Sequence, residues 1–180
     1  EVTPLTFTPR AYMTDDQRHA SRRPDVLTFS SEVLSEDLTV AGEIAAKLRV
    51  ILSSEDADFI VKVIDVYPDD APATPATPAH VQMPGYQQLV RAEVFRGRFR
   101  NSFAEPEPFT PGQETEVSYP LQDILHTFKQ GHRIMIQVHS TWFPYIDRNP
   151  QKWVDNIYEA EADDFIKADI TVTGASQVII

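Results

Sequence analysis

Between residues 42 and 52 apolar and polar side chains alternate without a break. Ile44, Ala46, Leu48, Val50 and Leu52 fall on one side, and Glu43, Ala45, Lys47, Arg49 and Ile51 on the other. Period-two alternation with one apolar side predicts a strand with one buried face. A polar corner, Ser53-Ser54-Glu55-Asp56-Ala57-Asp58, turns the chain into Phe59-Ile60-Val61-Lys62-Val63-Ile64-Asp65-Val66-Tyr67. That run is rich in β-branched residues and apolar on nearly both faces, which suits a central strand covered on both sides. A later run, residues 131–141, places Ile134, Ile136 and Val138 on one side and Arg133, Gln137 and His139 on the other. Val61, Val63, Ile134, Ile136 and Val138 are therefore the expected inter-sheet layer, and a second sheet must cover them.

The remaining segments supply that sheet. Pro24 restricts Arg23 to extended backbone, and residues 25–31 read as a strand. Leu38-Thr39-Val40 leads through Gly42 into the alternating run, residues 88–95 form a further strand, and residues 114–119 a short alternating one. Leu121, Ile124, Leu125 and Phe128 recur at i, i+3, i+4 and i+7, a spacing that predicts one or two helical turns ended by Gly131. Residues 167–173 and 177–180, separated by Gly174, read as a terminal hairpin. Residues 68–84 carry five prolines, cannot hold a ladder, and predict a surface insertion over residues 68–85. Residues 1–23 are expected to be an irregular arm. About eight antiparallel strands predict a single all-β domain, and the long crossings favour a jelly-roll β-sandwich over an immunoglobulin arrangement.

Composition narrows the function classes. A chain of 180 residues fits one domain and buries about 70% of its unfolded surface. It has no cysteine, which excludes a disulfide framework and thiolate metal sites and leaves the compartment, periplasmic, secreted or cytoplasmic, open. The net charge of −11 argues against nucleic acid as a partner, because phosphate binding needs a Lys/Arg surplus. No apolar run approaches the ~18 residues of a membrane span, so no membrane partner is expected. The chain opens on Glu1 without a Met, and we expect it to be a piece of a longer polypeptide.

Candidate chemistry is sparse. No Gly-x-Ser-x-Gly elbow for a hydrolase nucleophile occurs. His132 and His139 are seven apart on one strand and point to opposite faces, and no His-x-x-x-His pair is present for zinc. Glu159, Glu161, Asp163 and Asp164 offer a calcium reading, without the spacing of a calcium loop and against the more common reading of a solvated acidic run. Arg96, Arg98 and Arg100 are expected on one strand face, either ion-paired with the chain's own acidic surplus or binding an anion. Trp142, Phe143, Tyr145 and Trp153 offer a sugar-stacking platform or the packing of a corner. Leu5, Phe7, Tyr12 and Met13 are apolar in a proline-punctuated segment and either pack on the sandwich edge or face a neighbouring domain. No catalytic residue, metal site or cofactor is expected within the chain.

The runs Arg23-Pro24-Asp25-Val26-Leu27-Thr28-Phe29-Ser30-Ser31, Asp37-Leu38-Thr39-Val40-Ala41-Gly42 and residues 56–69 resemble the C-terminal domain of the X-Pro dipeptidyl-peptidase family. That family includes cocaine esterase, α-amino-acid ester hydrolases and glutaryl or cephalosporin acylases. The likeness continues through Arg96-Gly97-Arg98-Phe99-Arg100, Pro111-Gly112, residues 131–138 and Phe143-Pro144-Tyr145-Ile146-Asp147-Arg148-Asn149-Pro150. Residues 12–18 and 142–149 look closest to the ester hydrolase and acylase branch. The resemblance implies a galactose-binding-domain-like jelly roll that is itself non-catalytic. It also implies an α/β-hydrolase catalytic domain of the same polypeptide as partner, carrying the serine triad, and a small-molecule or peptide substrate. For Leu5 and Phe7, with Tyr12 and Met13, it implies a place on the wall of the substrate cleft. Two other readings stand beside it: a stand-alone carbohydrate-binding module, and an oligomerisation domain forming a homo-oligomer.

Overall fold

The computed structural model describes residues 13–180. It contains strands β1 (Val26–Ser30), β2 (Leu38–Leu52), β3 (Asp58–Val66), β4 (Gln87–Arg96), β5 (Thr115–Phe128), β6 (Arg133–His139), β7 (Ile170–Val172) and β8 (Gln177–Ile179), and a short helix α1 (Arg18–Ser21). One sheet has the order β1-β6-β3-β4 and the other β5-β2-β7, with β8 also paired to β2. Every pairing is antiparallel. The protein is an all-β sandwich.

The alternation in β2 does what its pattern requires. Ile44, Ala46, Leu48, Val50 and Leu52 are buried, stand beside Val117, Tyr119, Leu121, Ile124 and Phe128 of β5, and with them face Phe59, Val61 and Val63 of β3 in one core. Both faces of β3 are buried because the sheet is covered twice. Its inner side chains meet the second sheet, while Lys62 on its outer side lies beneath Gln17 and the Trp142 ring. One flank of the sandwich is closed by Phe95 of β4 stacked on Tyr119 of β5, with centroids 4.8 Å apart.

Four expectations need correction. Residues 121–130 are not helical: β5 runs through them to Phe128. Ile44 faces Leu121 and Gly42 faces Ile124, so Gln122 and Asp123 together oppose Glu43 in a β-bulge. A bulge moves the apolar phase of a strand by one residue, which turned a period-two pattern into a helix-like spacing. Leu125, the residue that completed the helical pattern, is 82% exposed. Gly42 sits at the bulge with φ +127°, a region that side chains disfavour.

The terminal segments do not form a hairpin. β7 pairs with residues 50–52 and β8 with residues 45–47, both along the same edge of β2. The intervening turn wraps Arg49, whose carbonyl accepts from Thr173 N–H at 2.8 Å and whose N–H donates to Ser176 Oγ at 2.8 Å. Arg96, Arg98 and Arg100 do not share a strand face either, because β4 ends at Arg96 and residues 97–99 form a 3₁₀ turn. Finally, Val61, Val63 and Val138 are buried as expected, but Ile134 and Ile136 are only half-buried. They lie on β6, between β3 and the edge strand β1, where the sandwich is open.

Candidate functional site

The outer face of the first sheet carries a buried polar cluster built from β3, β6 and the arm. Lys62 of β3 is fully buried. Its Nζ donates to Gln17 Oε1 at 2.8 Å and sits 4.1 Å above the Trp142 ring. Burial pushes its pKa down to about 7, since desolvation disfavours the ammonium. His139 Nε2–H donates to Gln137 Oε1 at 2.9 Å. Burial, and then the Lys62 charge, push the His139 imidazole down to about 3. Its ring is neutral over the physiological range. The indole N–H of Trp142 is buried and has no hydrogen-bond partner among the described residues.

This cluster anchors the arm. Gln17 N–H donates to Gln87 O at 2.9 Å, and its side-chain amide donates to the carbonyls of Asp15 at 2.7 Å and Met13 at 3.3 Å. Arg18 pairs with Asp16 and donates to Pro84 O at 2.9 Å and Gln82 O at 2.8 Å, tying the arm to the proline-rich segment. Tyr86 O–H donates to Asp15, and burial together with that carboxylate raises the phenol pKa. Met13 is half-buried at the head of this clamp. Thr14 borders a hollow of about 340 Å³ shared with Trp142 and Tyr145. Leu5, Phe7 and Tyr12 lie outside the described residues.

The four corner aromatics are put to different uses. Trp142 is buried under Lys62 and packs on Tyr145 at 4.7 Å. Trp153 covers the Arg98 guanidinium at 4.4 Å. Phe143, with Arg148 at 4.9 Å, and Tyr145 are exposed. Two of the four are therefore consumed by packing.

The three arginines at and just beyond the end of β4 are ion-paired with the chain's own carboxylates. Arg98 and Asp56 form a buried pair at 2.7 Å. Arg96 binds Asp147 at 2.8 Å and lies 3.7 Å from the buried Asp58 carboxylate, which also accepts from Asn149 at 2.9 Å. Burial raises Asp58 to about 6. Arg100 donates to the carbonyls of Glu107 and Pro108, both at 2.8 Å. These contacts lock the loop after β6 onto the end of the sandwich.

A second constellation was hidden in the sequence. The buried Asp65 carboxylate faces His126 Nε2 at 2.9 Å and His132 Nδ1 at 2.7 Å. Asp65 comes from β3, His126 from β5 and His132 from the turn before β6, so the group ties the two sheets at one end of the core. No local spacing announces it, because its members are 61 and 67 positions apart. It is not a triad: among the described residues no serine hydroxyl bonds a histidine. Nor do three His, Cys, Asp or Glu side chains converge as a metal site among them. In the acidic run, Asp164 pairs with Lys152 at 2.7 Å and accepts from Glu161 N–H at 3.1 Å.

In this all-β sandwich the buried polar groups hold an arm and a loop, and among the described residues they assemble no nucleophile. The model of the X-Pro dipeptidyl-peptidase C-terminal non-catalytic domain matches residues 4–178, and the chain belongs to that family. It is 35% identical over 134 residues to cocaine esterase of Rhodococcus sp. (strain MB1 Bresler), covering 74% of this chain and 21% of the esterase. Among solved structures it resembles an aminopeptidase from the marine sediment archaeon Thaumarchaeota archaeon, with 46% identity and a TM-score of 0.82 over 89% of this chain and 25% of that one. It also resembles an α-amino acid ester hydrolase, with 41% identity and a TM-score of 0.85 over 92% of this chain and 27% of that one. The chain thus spans about a quarter of the length of these relatives.

Proposed function

We propose that this domain serves a larger serine hydrolase that cleaves ester or amide bonds, and that its arm borders the substrate cleft. The nucleophile, histidine and acid then reside in an α/β-hydrolase domain of the same polypeptide, which this domain supports. The relatives' names, an esterase, an ester hydrolase and an aminopeptidase, support that bond class. The observation that carries the reading is the arm clamp. Gln17, fixed on the buried Lys62, holds the Met13 carbonyl, and the adjoining Thr14 borders the hollow it shares with Trp142 and Tyr145. A cleft wall needs such support, because a small misplacement of a positioning residue costs a large factor in rate.

Kinetics test it. In the full-length enzyme, Phe7→Ala and Met13→Ala should change KM or kcat at least fivefold while the melting temperature holds. Unchanged kinetics beside a lowered melting temperature would make these residues part of the sandwich core. The 180-residue chain alone should show no turnover of aryl esters or Xaa-Pro substrates. Turnover abolished by mutating one of its own serines would overturn the non-catalytic assignment.

A further inference from the structure

The two flanks of the sandwich are unequal. The β4/β5 flank is closed by the Phe95–Tyr119 stack and by Arg91, which donates to Asp123 O. The opposite flank, between β1 and the β7–β8 edge, is a groove. It consists of hollows of about 320 and 350 Å³ that share Val138 and Val172. Leu27 and Phe29 form one rim, Ile136 and Val138 the floor, and Val172 and Val178 the other rim. Leu27 is 40% and Phe29 56% exposed, and Ile179 on the neighbouring edge is 45% exposed. Asp25, His139 and Asp169 also line the first hollow, so the apolar part is the half between Phe29, Ile136 and Val178, and an exposed apolar surface of this kind marks an interaction site. β1 pairs only with β6, which leaves its other edge without a strand neighbour among the described residues.

We propose that this groove is the docking site of an extended, apolar segment of the same polypeptide that lies outside these 180 residues. The proposal rests on the reading of a larger hydrolase given above and adds to it the surface of attachment. Two observations select the occupant. About three-quarters of each relative's length lies outside the region this chain matches, so covalently linked chain is at hand at high effective concentration. Among the described residues no strand pairs with the outer edge of β1, which lies beside the floor formed by Ile136 and Val138. An extended segment satisfies both at once, with main-chain hydrogen bonds to the edge and alternate side chains inserted into the groove.

Thiol labelling at single introduced cysteines tests this in the full-length enzyme, with any cysteines outside these 180 residues replaced first; the 180 residues carry none. Phe29→Cys and Leu27→Cys should react with a maleimide at least tenfold more slowly than Phe103→Cys and Tyr158→Cys, whose native side chains are 80% and 79% exposed. Equal rates would overturn the proposal. So would slow labelling that speeds up on dilution, because the cover would then be a second copy. Hydrogen exchange on the unsubstituted enzyme guards against a cysteine that loosens the contact. Those amides of residues 27–30 that point away from β6 should exchange at least tenfold more slowly than residues 73–77, and fast exchange at them overturns docking. Fast labelling with Phe7→Ala still altering KM would remove the groove proposal and leave the cleft reading. Slow labelling with a kinetically silent Phe7 would do the reverse.

Discussion

Lys62 and Asp58 are the residues where burial and charge conflict most. Asp58 has its pKa raised by burial from 3.8 to about 6. Its neutral form therefore favours the fold below pH 4, and that contribution is lost as pH rises through about 6. Lys62 has its pKa lowered by burial from 10.5 to about 7. Its contribution is present above 10.5 and is lost as pH falls through about 7. Between these limits both groups are in their costly charge states near neutrality, each shifted unit being worth about 1.4 kcal/mol. Lys62→Met should consequently abolish a gain in stability of a few kcal/mol that the native chain shows between pH 7 and 10. Asp58→Asn should abolish a loss between pH 4 and 6. Denaturant midpoints for each variant beside the native chain across these windows check both. Parallel curves for Lys62→Met and the native chain would mean that Trp142 and Gln17 keep the ammonium charged at little cost.

At the scale of elements, legibility in the sequence followed local regularity. The β2 alternation and the two-sided burial of β3 were readable because each needs only its own period and a covering layer. β5 was misread because Gln122 and Asp123 share one position opposite Glu43, a fact that belongs to the pair of strands and not to either sequence. β7 and β8 were misread as partners because proximity in sequence suggests a hairpin, whereas the open edge of β2 had room for both in line. The Asp65–His126–His132 group and the Lys62 cluster were invisible for the same reason, since topology alone assembles them. Packing at element junctions gives a direct test. A Cβ on Gly97 would lie 2.7 Å from the Phe109 ring and 2.8 Å from Ala57 O. Gly97→Ala should therefore cost about 1–3 kcal/mol as overpacking, read as a lower denaturation midpoint. A change within error would show that Phe109 swings away freely. Ile44→Ala, in the sealed core, should cost about 2–5 kcal/mol. Ile136→Ala, on the groove floor, should fall near or below the low end of that range. Equal losses at the two sites would mean that the flank is as closed as the core.

At the scale of the molecule, the role proposed for the arm, to join the sandwich to the cleft of a larger hydrolase, depends on how firmly the arm is held. It is held by two different fastenings, the buried Lys62–Gln17 contact and the surface grip of Arg18 on Asp16, Pro84 and Gln82. The first is part of the fold of the outer sheet face, so its removal confounds stability with position. The second lies on the surface, where a lost ion pair costs little stability, yet it fixes the arm to the proline-rich segment through two carbonyls. Arg18→Ala is therefore the variant that separates the roles. In the full-length enzyme it should leave the melting temperature within about 2–3 °C, which is under roughly 1 kcal/mol for a domain of this size. It should also speed protease cleavage near residues 13–20 and lower kcat/KM severalfold. Arg18→Lys should restore little, because the guanidinium reaches Asp16 and both carbonyls through separate nitrogens, a fork that an ammonium lacks. If kcat/KM survives Arg18→Ala while cleavage of the arm accelerates, the arm can move without consequence for the reaction, and its place beside the cleft must be given up.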